Sequence, residues 1–335
     1  GGPGSDLAFL TAVDYQPYSL SHFDSSDYWF SGTLSALSTG WLGRWIDNNG
    51  SATHPLQAVS IDTALSKDIR TRVNPVCAIA PGAPLGFTMD ASGGTQLPPG
   101  THPPADINAQ MAALRAIAPG AANLDLARSR QSYGLATDVS TRGATLAGVG
   151  AANPAAQYPT NSQLSNKLKL AAQILHAGLG TRVITIHWGG FDTHGGQLAT
   201  QDPQLAELSR ALAAFKADLQ TRTIGGQAIE PNVATMVFSE FGRRVGENGS
   251  AGTDHGAGGL MLLSGSAVRG GWASPFPGCK AGDLDAAGNL KVPTDFRSVY
   301  QAVLEEWLGG DATGVLPSKP FPALQRHDGT STLFK

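Results

Sequence analysis

Apolar positions along this chain follow two rhythms. Leu205, Leu208, Leu212, Phe215 and Leu219 recur at spacings of 3, 4, 3 and 4, which predicts a helix over 204–221 with one stripe against a sheet. Asp202 is placed to cap it, and Pro203 suits a first turn, where backbone N–H groups lack helical partners anyway. Leu164, Leu168, Ala171 and Leu175 mark a second helix over 163–177, with Gly178 and Gly180 as stop signals. A third runs from Thr294, as N-cap, through Phe296, Val299, Val303 and Trp307 to Gly309. Between them lie short apolar runs that read as buried strands: RVITIH at 182–187, VATMVF at 233–238 and LMLL at 260–263. Residues 7–13, 57–61 and 76–80 add further strands.

Strand, long amphipathic helix, strand is a βαβ unit, so the expected class is α/β with a mostly parallel sheet under helices. Such crossovers are right-handed, which puts the carboxyl ends of both strands on one edge. The stretch 81–159 has another character. It opens with Pro/Gly-rich sequence (PGAPLGF, then GGTQLPPGTHPP) and continues with helical patterns near 105–117 and 124–147, as expected of an inserted helical cap or lid.

Composition sets bounds on this picture. With 41% hydrophobic residues in 335 the chain can bury a sizeable core, and it is not disordered. A net charge of −3 without charge runs carries no nucleic-acid footprint. No window approaches 18 apolar residues, so no membrane span is expected. Cys77 and Cys279 are too few for a disulfide framework or a zinc ribbon; they are two idle thiols or one long-range disulfide closing a loop of about 200 residues. The opening GGPGS reads as a linker, a processed end or a cloning scar, and it leads straight into the strand at 7–13.

Several common constellations are missing. There is no G-x-S-x-G elbow, no G-x-G-x-x-G, no Walker A loop and no H-E-x-x-H. That argues against a serine esterase of the α/β-hydrolase type, a dinucleotide enzyme, a P-loop NTPase and a zincin. What remains are polar groups just beyond the predicted strand ends, the edge at which open α/β sheets bind ligands. After 182–187 the chain reads WGGFDTHGG, and in an extended segment Asp192 and His194 point the same way, as half of a metal site. The bland alternative is an Asp capping a turn beside a polar histidine. After 233–238 comes SEFGRR, in which Glu240 can supply a metal ligand and Arg243 an anion-binding guanidinium, or the two can be surface ion-pair partners. Six glycines between 246 and 259 are costly to order, which is credible where the loop delivers His255 or Asp254 to a shared site. Near the start, Ser21 and His22 begin a helix whose free N–H groups favour an anion, so Ser21 is a candidate nucleophile; otherwise it is a plain N-cap. His54, His102, His176 and His327 lie in loops or near a helix end, and His187, at a strand end, is ambiguous.

Taken together, LSHFDSSDYW, GWLGRWID, LGTRVITIHWGGFDTHGGQ, VFSEFGRRVGENGSAGTDHGAGG and TDFRSVYQAVLEEWLG resemble one bacterial family, numbered fifteen-oh-one among the domains of unknown function. That family is distantly similar to alkaline phosphatases and sulfatases. The resemblance covers about 7–310 and implies a single alkaline-phosphatase-like domain over 1–335, a three-layer α/β/α fold, export by the twin-arginine route and a periplasmic or extracellular location. It also implies two divalent metal ions (zinc or similar), ~3.5–4 Å apart, clamping the oxygens of an in-line displacement. By motif position, Asp192, His194 and His255 would form one metal site and Glu240 part of the other. Ser21 would be the nucleophile, with His22 and Arg243 beside it.

This sequence departs from the wider pattern. Its D-x-H is shorter than the usual D-x-x-x-H, and Phe241 follows Glu240 where a histidine ligand is common. The upstream first strand, with its Gly-Gly-x-Asp-like end, is missing, which leaves three options: a processed chain, a sheet completed by another polypeptide, or an incomplete site. The expected function is therefore an exported metal-dependent hydrolase acting on an anionic small-molecule or polymer ester of phosphate or sulfate. The competing expectation is a secreted binding or assembly protein that keeps the fold without the chemistry. A metal-independent Ser/His hydrolase built on Ser21 is a third.

Overall fold

The computed structural model describes residues 5–82, 113, 116, 124–150, 152–317 and 320–335. Its chain order is β1 (Leu7–Asp14), α1 (His22–Ser31), α2 (Trp41–Asn49), β2 (Ala58–Ser60), β3 (Cys77–Ala78), α3 (Leu124–Gly143), α4 (Gln163–His176), β4 (Val183–Thr185) and α5 (Gln197–Gln220). There follow a small hairpin of β5 (Thr223–Ile224) and β6 (Gln227–Ala228), then β7 (Thr235–Val237), β8 (Gly242–Arg243), β9 (His255–Gly256) and β10 (Gly259–Ser264). β11 (Gly271–Trp272), β12 (Thr294–Asp295) and α6 (Phe296–Ala302) complete the set. The architecture is mixed α/β. Much of the expected insertion at 81–159 lies outside the described residues; its described part contains α3 and two short turns of helix, Ala144–Gly148 and Pro154–Ala156.

Each anticipated apolar run forms a strand, but their partners differ from a single mostly parallel sheet. β2 lies between β3 and β4, all parallel. β7, the strand expected beside β4, instead pairs antiparallel with β10, and β10 pairs antiparallel with β1. β11 and β12 add parallel partners to β1, giving a second sheet of five strands. α5 therefore crosses from one hydrogen-bonded sheet to the other. The local pattern leaves the choice open: an apolar run of four to six residues satisfies its backbone in either direction, and only long-range contacts choose.

Two apolar clusters hold the layers. One packs Ala8, Leu10, Met261 and Leu263 from the five-stranded sheet against Trp29, Trp41, Trp45, Phe296 and Tyr300 from α1, α2 and α6. The other packs Val59 and Ile61 against Leu164, Leu168 and Ile174 of α4 and Ala211, Phe215 and Leu219 of α5. Successive residues of β4, Val183 and Ile184, belong to opposite clusters, as the two-residue period of a strand requires. Each fully buried large side chain contributes ~1.5–3 kcal/mol.

Two helix starts differ from expectation, for tertiary reasons. α5 begins at Gln197, not near 204, because carbonyls of a distant loop cap it: Gly196 N–H donates to Ser250 O (3.0 Å) and Gln197 N–H to Ala251 O (2.8 Å). Pro203 then lies inside the helix, Asp202 is not its cap, and Leu205 is exposed on its outer side. Thr294 joins the sheet opposite Val13, and Asp295 caps α6 by accepting from Arg297 N–H at 2.9 Å. Cys77 and Cys279 are free thiols, and burial pushes the Cys77 thiol up to about 12. Among the described residues, no helix is long and apolar enough to cross a membrane.

Candidate metal centre

Three loops beyond strand ends and the start of one helix meet at a single point. α1 begins at His22 because Ser21, extended at φ −87° and ψ 125°, accepts from Asp24 N–H and caps it. Residues 189–196 follow β4 and carry Asp192 and His194. β8 and β9 pair as a short antiparallel ribbon in which Arg243 stands opposite His255. The 248–253 turn docks onto the Asp192 loop through Thr253 N–H to Thr193 O (3.2 Å) and the Asn248 side chain to His194 O (3.0 Å). Only glycine fits at 252, since a Cβ there would stand 2.3 Å from the His194 carbonyl carbon. Gly252 thus marks a close approach between two backbones; Gly246 and Gly249, with open space around them, do not.

One carboxylate, Asp192, stands at the centre. Its Oδ1 lies 3.0 Å from His194 Nε2 and 3.0 Å from His255 Nε2, and its Oδ2 lies 3.4 Å from His22 Nε2. The two nitrogens of His194 and His255 are 3.0 Å apart. Ligand atoms of His22, Asp192 and His255 all fall within 4.8 Å of one another. Asp192 and His194 are about half exposed, so the cluster opens to solvent.

Each imidazole is held from behind through Nδ1. His255 Nδ1 is 2.8 Å from the Leu20 carbonyl, His22 Nδ1 is 2.7 Å from Glu240 Oε1, and His194 Nδ1 is 3.3 Å from Asp254 Oδ1. A carbonyl or carboxylate oxygen only accepts, so each Nδ1 carries the proton and each Nε2 of a neutral ring presents a lone pair. The Nε2 atoms of His22 and His255 and the Asp192 carboxylate then face one another, and His194 Nε2 joins them through its contacts with Asp192 and His255. Such a set repels itself unless extra protons or a cation sit between. Imidazoles anchored by Nδ1–H to a carboxylate or carbonyl, with Nε2 turned inward, are the usual arrangement around a bound metal. The residues present therefore fit a cation.

The remaining candidates have other engagements. Arg243 donates to Thr253 O (2.8 Å), Phe191 O (3.0 Å) and Asp192 Oδ1 (2.5 Å), so it braces the cluster instead of standing free for an anion. Partial desolvation works against ionisation of Asp192, yet the Arg243 guanidinium holds its carboxyl well below the usual range. Glu240, also penalised by burial, is kept low by the Ser239 hydroxyl and His22. The Ser21 hydroxyl makes no hydrogen bond to a cluster residue. Asp254, which the glycine-rich loop pointed to as an alternative to His255, orients His194 from behind, whereas the Leu20 carbonyl that orients His255 carries no sequence signal. His22 was expected beside a nucleophile; the structure turns its ring into the cluster.

A family model described as a protein of unknown function, DUF1501, matches residues 102–306, more than half of the chain. The chain belongs to the DUF1501 family. Asp192, His194, Glu240, Arg243 and His255 lie inside the matched span of DUF1501, whereas Ser21 and His22 lie before it. No curated protein and no solved structure matches the chain.

Proposed function

We propose that this DUF1501 protein is an exported, metal-dependent hydrolase of phosphate or sulfate esters on an alkaline-phosphatase-like three-layer scaffold. The observation that carries the reading is the convergence of three Nε2 nitrogens, each ring fixed from behind, on the Asp192 carboxylate. His22, His194, His255 and Asp192 would hold the cation, which when bound supplies Lewis acidity toward an anionic ester oxygen. The chain's own groups do the rest. The first-turn N–H groups of α1, next to His22, receive a phosphoryl or sulfuryl oxygen. Arg243 keeps Asp192 ionised and fixed. The Ser21 hydroxyl is the nucleophile in this reading. Its capping bond from Asp24 N–H is long, at 3.4 Å, and gives way easily.

Turnover of an aryl phosphate and an aryl sulfate, measured before and after chelation, tests the proposal. The expected result is ester cleavage that chelation removes, with kcat/KM down about a thousandfold in Asp192→Ala, the equivalent of a few kcal/mol of charge stabilisation. Activity that survives chelation and depends on Ser21 would favour a metal-independent serine hydrolase. A protein inactive on both esters with cation present favours the binding or assembly role.

A further inference from the structure

Family resemblance implies two cations, but the side chains around Asp192 leave room and charge for one. Glu240, the carboxylate expected to serve a second cation, has both oxygens engaged: Oε1 with His22 Nδ1 at 2.7 Å and Oε2 with the Ser239 hydroxyl at 2.7 Å. Next to it, the Phe241 ring stands 4.8 Å from the His22 ring and 4.4 Å from the His255 ring, centroid to centroid, and fills the adjoining space with carbon. Arg243 places a permanent positive charge 2.5 Å from Asp192 Oδ1, on the oxygen a second dication would share. Asp254 is engaged with His194 and Asn248, and Asp14 is fully buried with both oxygens on backbone N–H groups. Among the described residues, no second group of three such donors comes together.

We infer that the centre takes a single divalent cation, ligated by Nε2 of His22, His194 and His255 and by the carboxylate of Asp192, with Glu240 as a positioning residue for His22. This rests on the cluster being a cation site, and not on ester hydrolysis. Three imidazoles and one carboxylate select a first-row ion such as zinc, and disfavour magnesium and calcium, which prefer all-oxygen shells. Glu240 acts on the cation through the His22 ring, by fixing its tautomer and raising its basicity.

The test is stoichiometry and spectroscopy of the whole chain, not activity. Metal-free protein titrated with cobalt(II) is expected to bind one equivalent per chain, with the intense visible bands of a low-coordinate nitrogen-rich site, and magnesium in excess should not displace it. Glu240→Gln, close to isosteric, keeps one equivalent and weakens it 10–100-fold. His22→Ala changes the cobalt spectrum and weakens binding further, with circular dichroism confirming that both variants are folded. Two equivalents in the wild type, or one equivalent lost in Glu240→Gln, would overturn the inference, as would cobalt affinity unchanged by His22→Ala. No bound cobalt would overturn it too, leaving extra protons to hold the cluster. One equivalent of cobalt without ester turnover leaves the inference standing and removes the proposed activity. Turnover supported by two equivalents does the reverse.

Discussion

Two constellations of hydroxyl, imidazole and carboxyl groups lie beyond the end of β4, and they differ in what holds the ring. At His187 the Nε2 is paired with the Ser66 hydroxyl at 2.6 Å, and Nδ1 has no hydrogen-bond partner among the described residues. Its neighbour Asp68 is buried, and desolvation pushes its carboxyl above the usual range. Phe30 packs edge-on against the His187 ring, 5.3 Å between centroids. At the Asp192 cluster the anchoring is reversed: Nδ1 is tied back on all three rings and Nε2 is turned inward. Ser, His and Asp occur in both places. Residue types alone therefore say little about cation binding, and the nitrogen that carries the proton says most.

A buried carboxyl accompanies each constellation, and the largest effect expected comes from Asp14, which is bonded to the backbone three residues past His255. A bulge in β1, with Ala12 at φ 51°, turns Asp14 into the interior, where it accepts from Tyr15 N–H (3.0 Å) and Gly258 N–H (2.9 Å). Desolvation outweighs those bonds, and with Asp295 near by the carboxyl rises to about 7. The native state keeps this proton up to about pH 7, whereas an unfolded chain releases it near 3.9. Native protein therefore binds more protons between about pH 4 and 7, and its stability falls as pH rises through that window, by about 4 kcal/mol. Urea midpoints across pH 4–8 check this. Asp14→Asn should flatten that slope, whatever the constant cost of replacing an acceptor with a donor.

Next in size is the loop contact that builds the cluster. Gly252→Ala must push the His194 backbone away, because its Cβ would lie 2.3–2.5 Å from His194 and Gly195 backbone atoms. Cobalt affinity should drop about a hundredfold, comparable to losing an orienting partner, with circular dichroism unchanged. An unaltered affinity would show that the two loops need not touch for the cluster to form. The smallest effect belongs to the other constellation. Ser66→Ala should cost about 1 kcal/mol of stability, as for one hydrogen bond, and leave cobalt binding within twofold of the parent. A large loss of binding there would erase the distinction drawn between the two histidine sites.

Some of this was legible in the sequence. Asp192, His194 and His255 stand out because glycine-rich loops after apolar strands are where backbones approach closely and side chains are delivered. Ser21 announced itself as a helix cap. The sense of β10 was not legible, since LMLL satisfies a sheet in either direction and only its pairing with Phe9 and Met236 fixes it. Nor was the start of α5, which depends on carbonyls of Ser250 and Ala251 more than fifty positions away. Glu240 looked like a ligand because a carboxylate at a strand end often is one. What it does depends on which atom of His22 it meets, and no local pattern encodes a contact across 218 positions.

The cluster draws on positions 22, 192, 194 and 255, so the chain between its first and last donors is most of the molecule. The entropic cost of bringing such distant segments together grows only slowly with separation, but it must be met before any of these contacts forms. A cation seated in the cluster would act as a reversible cross-link between the amino-terminal helix and the loops that follow β4 and β8. At a hundredfold excess over its dissociation constant it would add about 2.7 kcal/mol to the folded state. Chelation would then lower the melting temperature and open the loops to proteases before either core gave way.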